Sequence, residues 1–173
     1  REPSRGCAVA SPERERLCSA TMLDAVALQK ILPHRYPFLF IDRVIAVEGN
    51  TIHARKLVSM SEPILQGHFP GHPVLPGVVQ VEAMAQAAVV LAHQTGHFNP
   101  ATQICYFMGI TSAKFRAPVV PGDIVDIHVE ALRVGRIGKF NGEIKVDGQT
   151  RSSAEFTAII EKLPVTDGAE SGT

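Results

Sequence analysis

Residues 77–95, GVVQVEAMAQAAVVLAHQT, are apolar on nearly every side of a 3.6-residue repeat. That pattern belongs to a helix buried all round rather than along one stripe. Pro76 suits its first helical position and Gly96 its C-terminal cap. Upstream, Asp24 is placed to N-cap a short helix whose apolar positions Val26, Leu28, Ile31 and Leu32 share roughly one face, and Pro33 ends it. Residues 38–48 are rich in β-branched and aromatic side chains and read as a strand. Gly49-Asn50 signals a hairpin into a second strand, 51–58. Residues 61–77 hold seven prolines and glycines, too many for regular structure. After the long helix the period drops to two: Ile127, Val129 and Ala131 alternate with Asp126, His128 and Glu130 within a strand at 124–132. Residues 104–115, 139–146 and 149–161 read as further strands, the last two joined through Asp147-Gly148. Gly135, Gly138 and Gly142 lie in or between strands with no helix following and read as loop and bulge glycines. Antiparallel strands with one long buried helix predict an α+β fold in which the sheet wraps the helix.

Composition narrows the setting. A chain of 173 residues suits one domain, and residues 1–21 and 165–173, polar and without apolar period, read as tails flanking a domain at 22–164. Basic and acidic side chains number 17 each, so the chain lacks the basic excess of a nucleic-acid or anionic-membrane binder. No run of about 18 apolar residues suggests a membrane span. Cys7, Cys18 and Cys105 form no C-x-x-C pair, which argues against a disulfide scaffold or a cysteine zinc site and for a reducing compartment.

The chemistry-bearing positions are few. There is no G-x-S-x-G, G-x-G-x-x-G or P-loop. His68/His72 and His93/His97 have the i, i+4 spacing of helical metal ligands, but Pro70, Gly71 and Pro73 exclude a helix around the first pair and Gly96 interrupts the second. Glu82 stands out: apart from His93, it is the one ionisable side chain of the buried helix. Burying an ionised carboxylate costs several kcal/mol unless it is paired, and burial favours the protonated, acid-competent form of a carboxyl group. His68, in a loop stiffened by Pro70, Pro73 and Pro76, is a candidate partner base. Gln86, one turn after Glu82, is placed to orient its carboxyl. Gly77 opens the helix, where a free N–H and the positive dipole end polarise a carbonyl. The competing reading is structural: Glu82 ion-paired to an arginine, and His68 a surface histidine.

Three segments carry a resemblance. LPHRYPFLFIDRV (32–44), EPILQGHFPGHPVLPGVVQVEAMAQ (62–86) and YFMGITSAKFRAPVVPGD (106–123) closely resemble the FabZ-type (3R)-3-hydroxyacyl-[acyl-carrier-protein] dehydratases. The resemblance implies a hotdog fold, a helix wrapped in an antiparallel sheet, assembled as dimers and commonly as a trimer of dimers. It implies loss of water from a 3-hydroxyacyl chain on acyl carrier protein to give the trans-2-enoyl thioester, with no metal or organic cofactor. By the same resemblance His68 is the base for the α-proton, Glu82 the acid for the departing hydroxyl, and Gly77 the N–H donor to the thioester carbonyl. FabA-type dehydratase-isomerases carry Asp at the place of Glu82, so the glutamate favours the plain dehydratase. Tyr106 resembles a tunnel gate, and Phe69, Val78, Phe107 and Phe115 are tunnel candidates. Arg133, Arg136 and Lys139 form a basic turn region where relatives dock the carrier protein. His34-Arg35-Tyr36-Pro37 is a hallmark of the family, read here as a turn anchoring the first strand. A bacterial cytoplasm is the expected location, with a plastid-like organelle as the alternative. Two other functions fit the fold, a hotdog acyl-thioester hydrolase and a non-catalytic acyl-thioester sensor; neither needs the paired His68 and Glu82.

Overall fold

A computed structural model describes residues 22–163. The tails expected at 1–21 and 165–173, and with them Cys7 and Cys18, lie outside these residues. Helix α1, Ala25–Ile31, starts where Asp24 Oδ1 accepts the Ala27 N–H at 2.8 Å. It buries Leu28 and Ile31, while Val26, expected on the same face, points to solvent. Its C-terminal carbonyls are capped by a side chain: the Arg35 guanidinium donates to the oxygens of Gln29 at 2.9 Å and Leu32 at 2.8 Å.

Strands β1 (Arg43–Glu48) and β2 (Thr51–Leu57) form the expected hairpin, with Gly49 at φ +57°. β1 begins five residues later than the sequence pattern suggests. Residues 38–42 form no strand: the Phe38 carbonyl and the Phe40 N–H bond to the Gln86 side chain, and the Asp42 N–H donates to Arg55 O of β2 at 2.9 Å. The Pro/Gly-rich segment also departs from expectation, since it contains a single helical turn, α2 (Pro63–Gln66), with proline at its first position. Lys56, almost wholly buried, donates to Glu62 Oε1 at 3.0 Å, and Ser59 N–H donates to the same oxygen at 3.0 Å. These bonds tie the end of β2 to the start of the loop that carries His68.

Helix α3, Gly77–Gln94, matches the sequence reading except at its start, where Pro76 is the N-cap and Gly77 the first helical residue. It ends in a Schellman motif: Gly96, at φ +78°, donates to His93 O at 3.0 Å, and His97 N–H donates to Ala92 O at 2.8 Å. The strands β3 (Gln103–Phe115), β4 (Ile124–Arg133), β5 (Ile137–Val146) and β6 (Gln149–Lys162) complete a six-stranded sheet. Its order is β1-β2-β4-β5-β6-β3, antiparallel throughout. Asp147 and Gly148 both take positive φ in the β5–β6 turn, as a two-residue type I′ hairpin requires.

The sheet packs around α3 through the alternating inward residues, with Met84, Leu91, Ile127, Ile144 and Phe156 among the fully buried side chains. Each such burial stabilises by about 1.5–3 kcal/mol relative to exposure. Gly142 is neither a loop nor a bulge residue. It lies inside β5 where a Cβ would stand 2.7 Å from Met84 Sδ, so glycine lets the helix approach the sheet. Gly138, also within β5, faces the Phe140 ring, and of the three glycines only Gly135 is in a loop. Among the described residues, no helix is long and apolar enough to cross a membrane.

Candidate active site

The structure places the candidate residues in two clusters. His68 and Gly77 share an open cleft with Val74, Pro76, Val78 and Phe115. The His68 ring stacks on Phe69, and its Nδ1 lies 2.8 Å from the Val74 carbonyl oxygen. A carbonyl oxygen only accepts, so Nδ1 carries a proton, and in the neutral tautomer the lone pair is on Nε2. The loop is closed on itself by Val74 N–H donating to His68 O at 2.8 Å. Among the described residues the Gly77 N–H has no acceptor, as befits the first residue of a helix. A Cβ on Gly77 would come within 2.7 Å of the Phe115 ring, so a larger residue there would displace the wall of the cleft.

Glu82 belongs to the other cluster. Its side chain is 18% exposed, and Oε1 accepts the Gln86 Nε2–H at 3.0 Å and lies 3.5 Å from His34 Nε2. No arginine pairs with it among the described residues. Gln86 is itself locked, because Oε1 accepts the Phe40 N–H at 2.9 Å and Nε2 donates to Phe38 O at 2.8 Å. The orientation that sequence spacing suggested for Gln86 is therefore present as a hydrogen bond.

Five residues separate Gly77 from Glu82 on α3, which turns Glu82 about 140° around the helix axis. Consistent with that, no hydrogen bond or ion pair joins His68 to Glu82 among the described residues of one chain. Val78, four residues before Glu82 and largely exposed, marks the face that Glu82 shares.

A mostly apolar pocket adjoins Glu82. His34 and Gln86 line it together with Ala88 and Val89 of α3 and Cys105, Tyr106 and Phe107 of β3. Of the tunnel candidates, Tyr106 and Phe107 line this pocket; Val78 and Phe115 line the His68 cleft, and Phe69 stacks on His68. Burial pushes the Cys105 thiol up to about 11, so it is a protonated wall residue rather than a nucleophile. Among the described residues no three histidine, cysteine or carboxylate side chains come together as a metal site.

Two of the three docking candidates are engaged elsewhere. Arg136 donates to Glu161 at 2.7 Å and Lys139 pairs with Glu155 at 2.8 Å, which leaves Arg133 without an acidic partner among the described residues. Sequence reasoning gave His34 no part in this site. Its signal was present as an unassigned histidine in HRYP, but nothing in the sequence shows that the loop before β1 folds back against α3.

Comparison with known proteins places this geometry. The family model described as "FabA-like domain" matches residues 32–155. The chain is 50% identical over 143 residues to the 3-hydroxyacyl-[acyl-carrier-protein] dehydratase FabZ of Erythrobacter litoralis, covering 82% of this chain and 95% of that one. It is 48% identical to the protein of the same name from a Nitratiruptor species, covering 80% and 98%. Among solved structures it resembles the dehydratase heterocomplex ApeI:P of Xenorhabdus doucetiae, with TM-score 0.64 at 24% identity over 76% of this chain and 89% of that one. A hot-dog-like protein of Thermanaerovibrio acidaminovorans has TM-score 0.54 at 19% identity over 66% and 82%, so both likenesses speak to the fold.

Proposed function

We infer the function from the premise that the chain belongs to the FabA-like family. It is a 3-hydroxyacyl-[acyl-carrier-protein] dehydratase, a hydro-lyase of fatty-acid biosynthesis, as its FabZ relatives are. The observation that carries our assignment of roles is the 2.8 Å contact of His68 Nδ1 with the Val74 carbonyl, which holds the ring and makes Nε2 the basic nitrogen of the neutral tautomer.

In this reading His68 Nε2 takes the proton from the α-carbon of the thioester. The C–H electron pair becomes the Cα–Cβ double bond, the Cβ–O bond breaks, and Glu82 protonates the departing hydroxyl, which leaves as water. His68 then holds one proton more and Glu82 one fewer, and exchange with solvent restores both. The Gly77 N–H and the positive end of α3 polarise the thioester carbonyl and so acidify the α-proton. The chemistry calls for no metal or organic cofactor. The pocket beside Glu82 takes the acyl chain, with Tyr106 and Phe107 in its wall.

The site completes itself with a second copy of the chain. β3 is one edge of the sheet, opposite β1, and Tyr106, Met108, Ile110 and Phe115 along it are each about half exposed. Such an apolar edge calls for a partner. Two copies joined at β3 form a homodimer in which His68 of one protomer meets Glu82 of the other, and three dimers form the larger assembly. We place the enzyme in the bacterial cytoplasm with its carrier protein.

Incubation with 3-hydroxyacyl and enoyl thioesters tests the activity. Enoyl absorbance is expected to appear and equilibrate; release of free thiol would make the protein a hydrolase, and no reaction would make it a binding protein.

Docking of the acidic carrier protein falls to Arg133, the cation of its turn that lacks an acidic partner among the described residues. Arg133→Glu is expected to raise KM several-fold for carrier-protein substrates, with a larger effect at low salt, and to leave short thioester mimics unchanged. Equal loss on both substrates, measured by initial rates at two salt concentrations, would give Arg133 a structural role instead.

A further inference from the structure

His34 lies in the loop between α1 and β1, with Nε2 3.5 Å from Glu82 Oε1, the same oxygen that accepts the Gln86 Nε2–H at 3.0 Å. Gln86 cannot reverse its amide, since its oxygen is bound by the Phe40 N–H and its nitrogen serves the Phe38 carbonyl. We propose that His34 is a positioning residue for the acid: with Gln86 it holds Oε1 of Glu82 as an acceptor, so that the transferable proton resides on Oε2. The proposal rests on the reading of Glu82 as the acid.

Three observations support it. First, burial pushes the His34 imidazole below its ordinary pKa, the Arg35 charge adds to this, and the Glu82 charge opposes it without reversing it. The ring is therefore neutral at pH 7 and has a single N–H. Second, His34 Nδ1 is buried and has no partner among the described residues. A proton there would be a buried donor left unpaired, whereas Nε2 has a carboxylate oxygen 3.5 Å away, so we assign the N–H to Nε2. Third, the ring is held in place. It stacks on Phe38 at 6.2 Å between centroids, and Arg35 donates to the carbonyl oxygens of Leu32 at 2.8 Å and His34 itself at 2.7 Å.

A carboxylic acid whose one oxygen faces two donors carries its own proton on the other oxygen. The 3.5 Å contact is loose, of the kind that tightens when bound substrate expels water. Without His34, Glu82 would be free to present either oxygen, and a fraction of bound substrate would meet the wrong one.

The test compares His34→Phe, which keeps the stacked ring and removes the donor, with His34→Gln, which returns an N–H at about the position of Nε2. His34→Phe is expected to lower kcat about tenfold, the worth of one hydrogen bond to a carboxyl group that gains charge as it gives up its proton, with KM within about twofold of wild type. His34→Gln should recover most of that loss although both variants melt at similar temperatures. In a Glu82→Gln background, His34→Phe should cost nothing further. Wild-type kcat in His34→Phe, equal loss in both His34 variants, or an undiminished loss in the Glu82→Gln background would each overturn the proposal. Full activity of Glu82→Gln by itself would instead overturn the assignment of the acid.

Discussion

Replacing His68 with alanine should lower turnover by about 10²–10⁴-fold, the usual effect of losing a general base. The fold and the assembly should survive, because the His68 side chain is only partly buried in a loop and belongs to no part of the apolar core. What it gives the fold is a stacking contact with Phe69 and one bond from Nδ1 to the Val74 carbonyl. Losing that bond costs about 0.5–1.5 kcal/mol. A second substitution separates the two roles. His68→Asn places an amide N–H near the position of Nδ1, so it can keep the bond to Val74 while removing the Nε2 lone pair. Both variants should be equally inactive, with the asparagine form melting at the higher temperature. Turnover is read from enoyl absorbance, the fold from circular dichroism and assembly from light scattering. Near wild-type turnover in either folded variant would remove His68 from the chemistry.

The parts of this molecule legible in the sequence are those decided by local pattern. The buried helix, the alternation in β4, the two tight hairpins and the Asp24 cap each follow from neighbours within a few residues, and the structure has them. The departures occur where a distant side chain decides the outcome. Residues 38–40 look like the start of a strand and are not one because Gln86, more than forty residues away, takes the Phe38 carbonyl and the Phe40 N–H. Gly142 looks like a bulge and is instead a point of close approach, since only the folded chain brings Met84 against it. The same limit applies at the site. Glu82 and Gln86 were readable as a pair because one helical turn joins them, whereas His34 approaches Glu82 only through the return of the chain past α1. The sequence shows Arg136 and Lys139 in a basic turn but not the carboxylates that pair with them, because Glu161 and Glu155 lie on a strand adjacent in space and distant in sequence.

Among the described residues no hydrogen bond or ion pair joins Glu82 to His68 within one chain, and this separation gives the proposed dimer its most demanding test. If each site takes His68 from one protomer and Glu82 from its partner, a dimer contains two composite sites related by the twofold axis. Chains carrying His68→Ala and chains carrying Glu82→Gln should each be nearly inactive when purified alone. Mixed dimers are different. One of their sites receives both lesions, while the other joins the intact His68 of the Glu82→Gln chain to the intact Glu82 of the His68→Ala chain. Random pairing of equal amounts makes about half of all dimers mixed, so about a quarter of all sites should work, which follows from the symmetry alone. Two different affinity tags isolate the mixed species, and its specific activity should then approach half that of the wild type. A site built within one chain predicts the opposite result, because every chain in the mixture carries one lesion and no site could be whole. Mixed dimers with no activity above the separate variants would therefore place His68 and Glu82 in the same protomer and require the loop from Gly67 to Pro76 to swing around the start of α3 before the reaction.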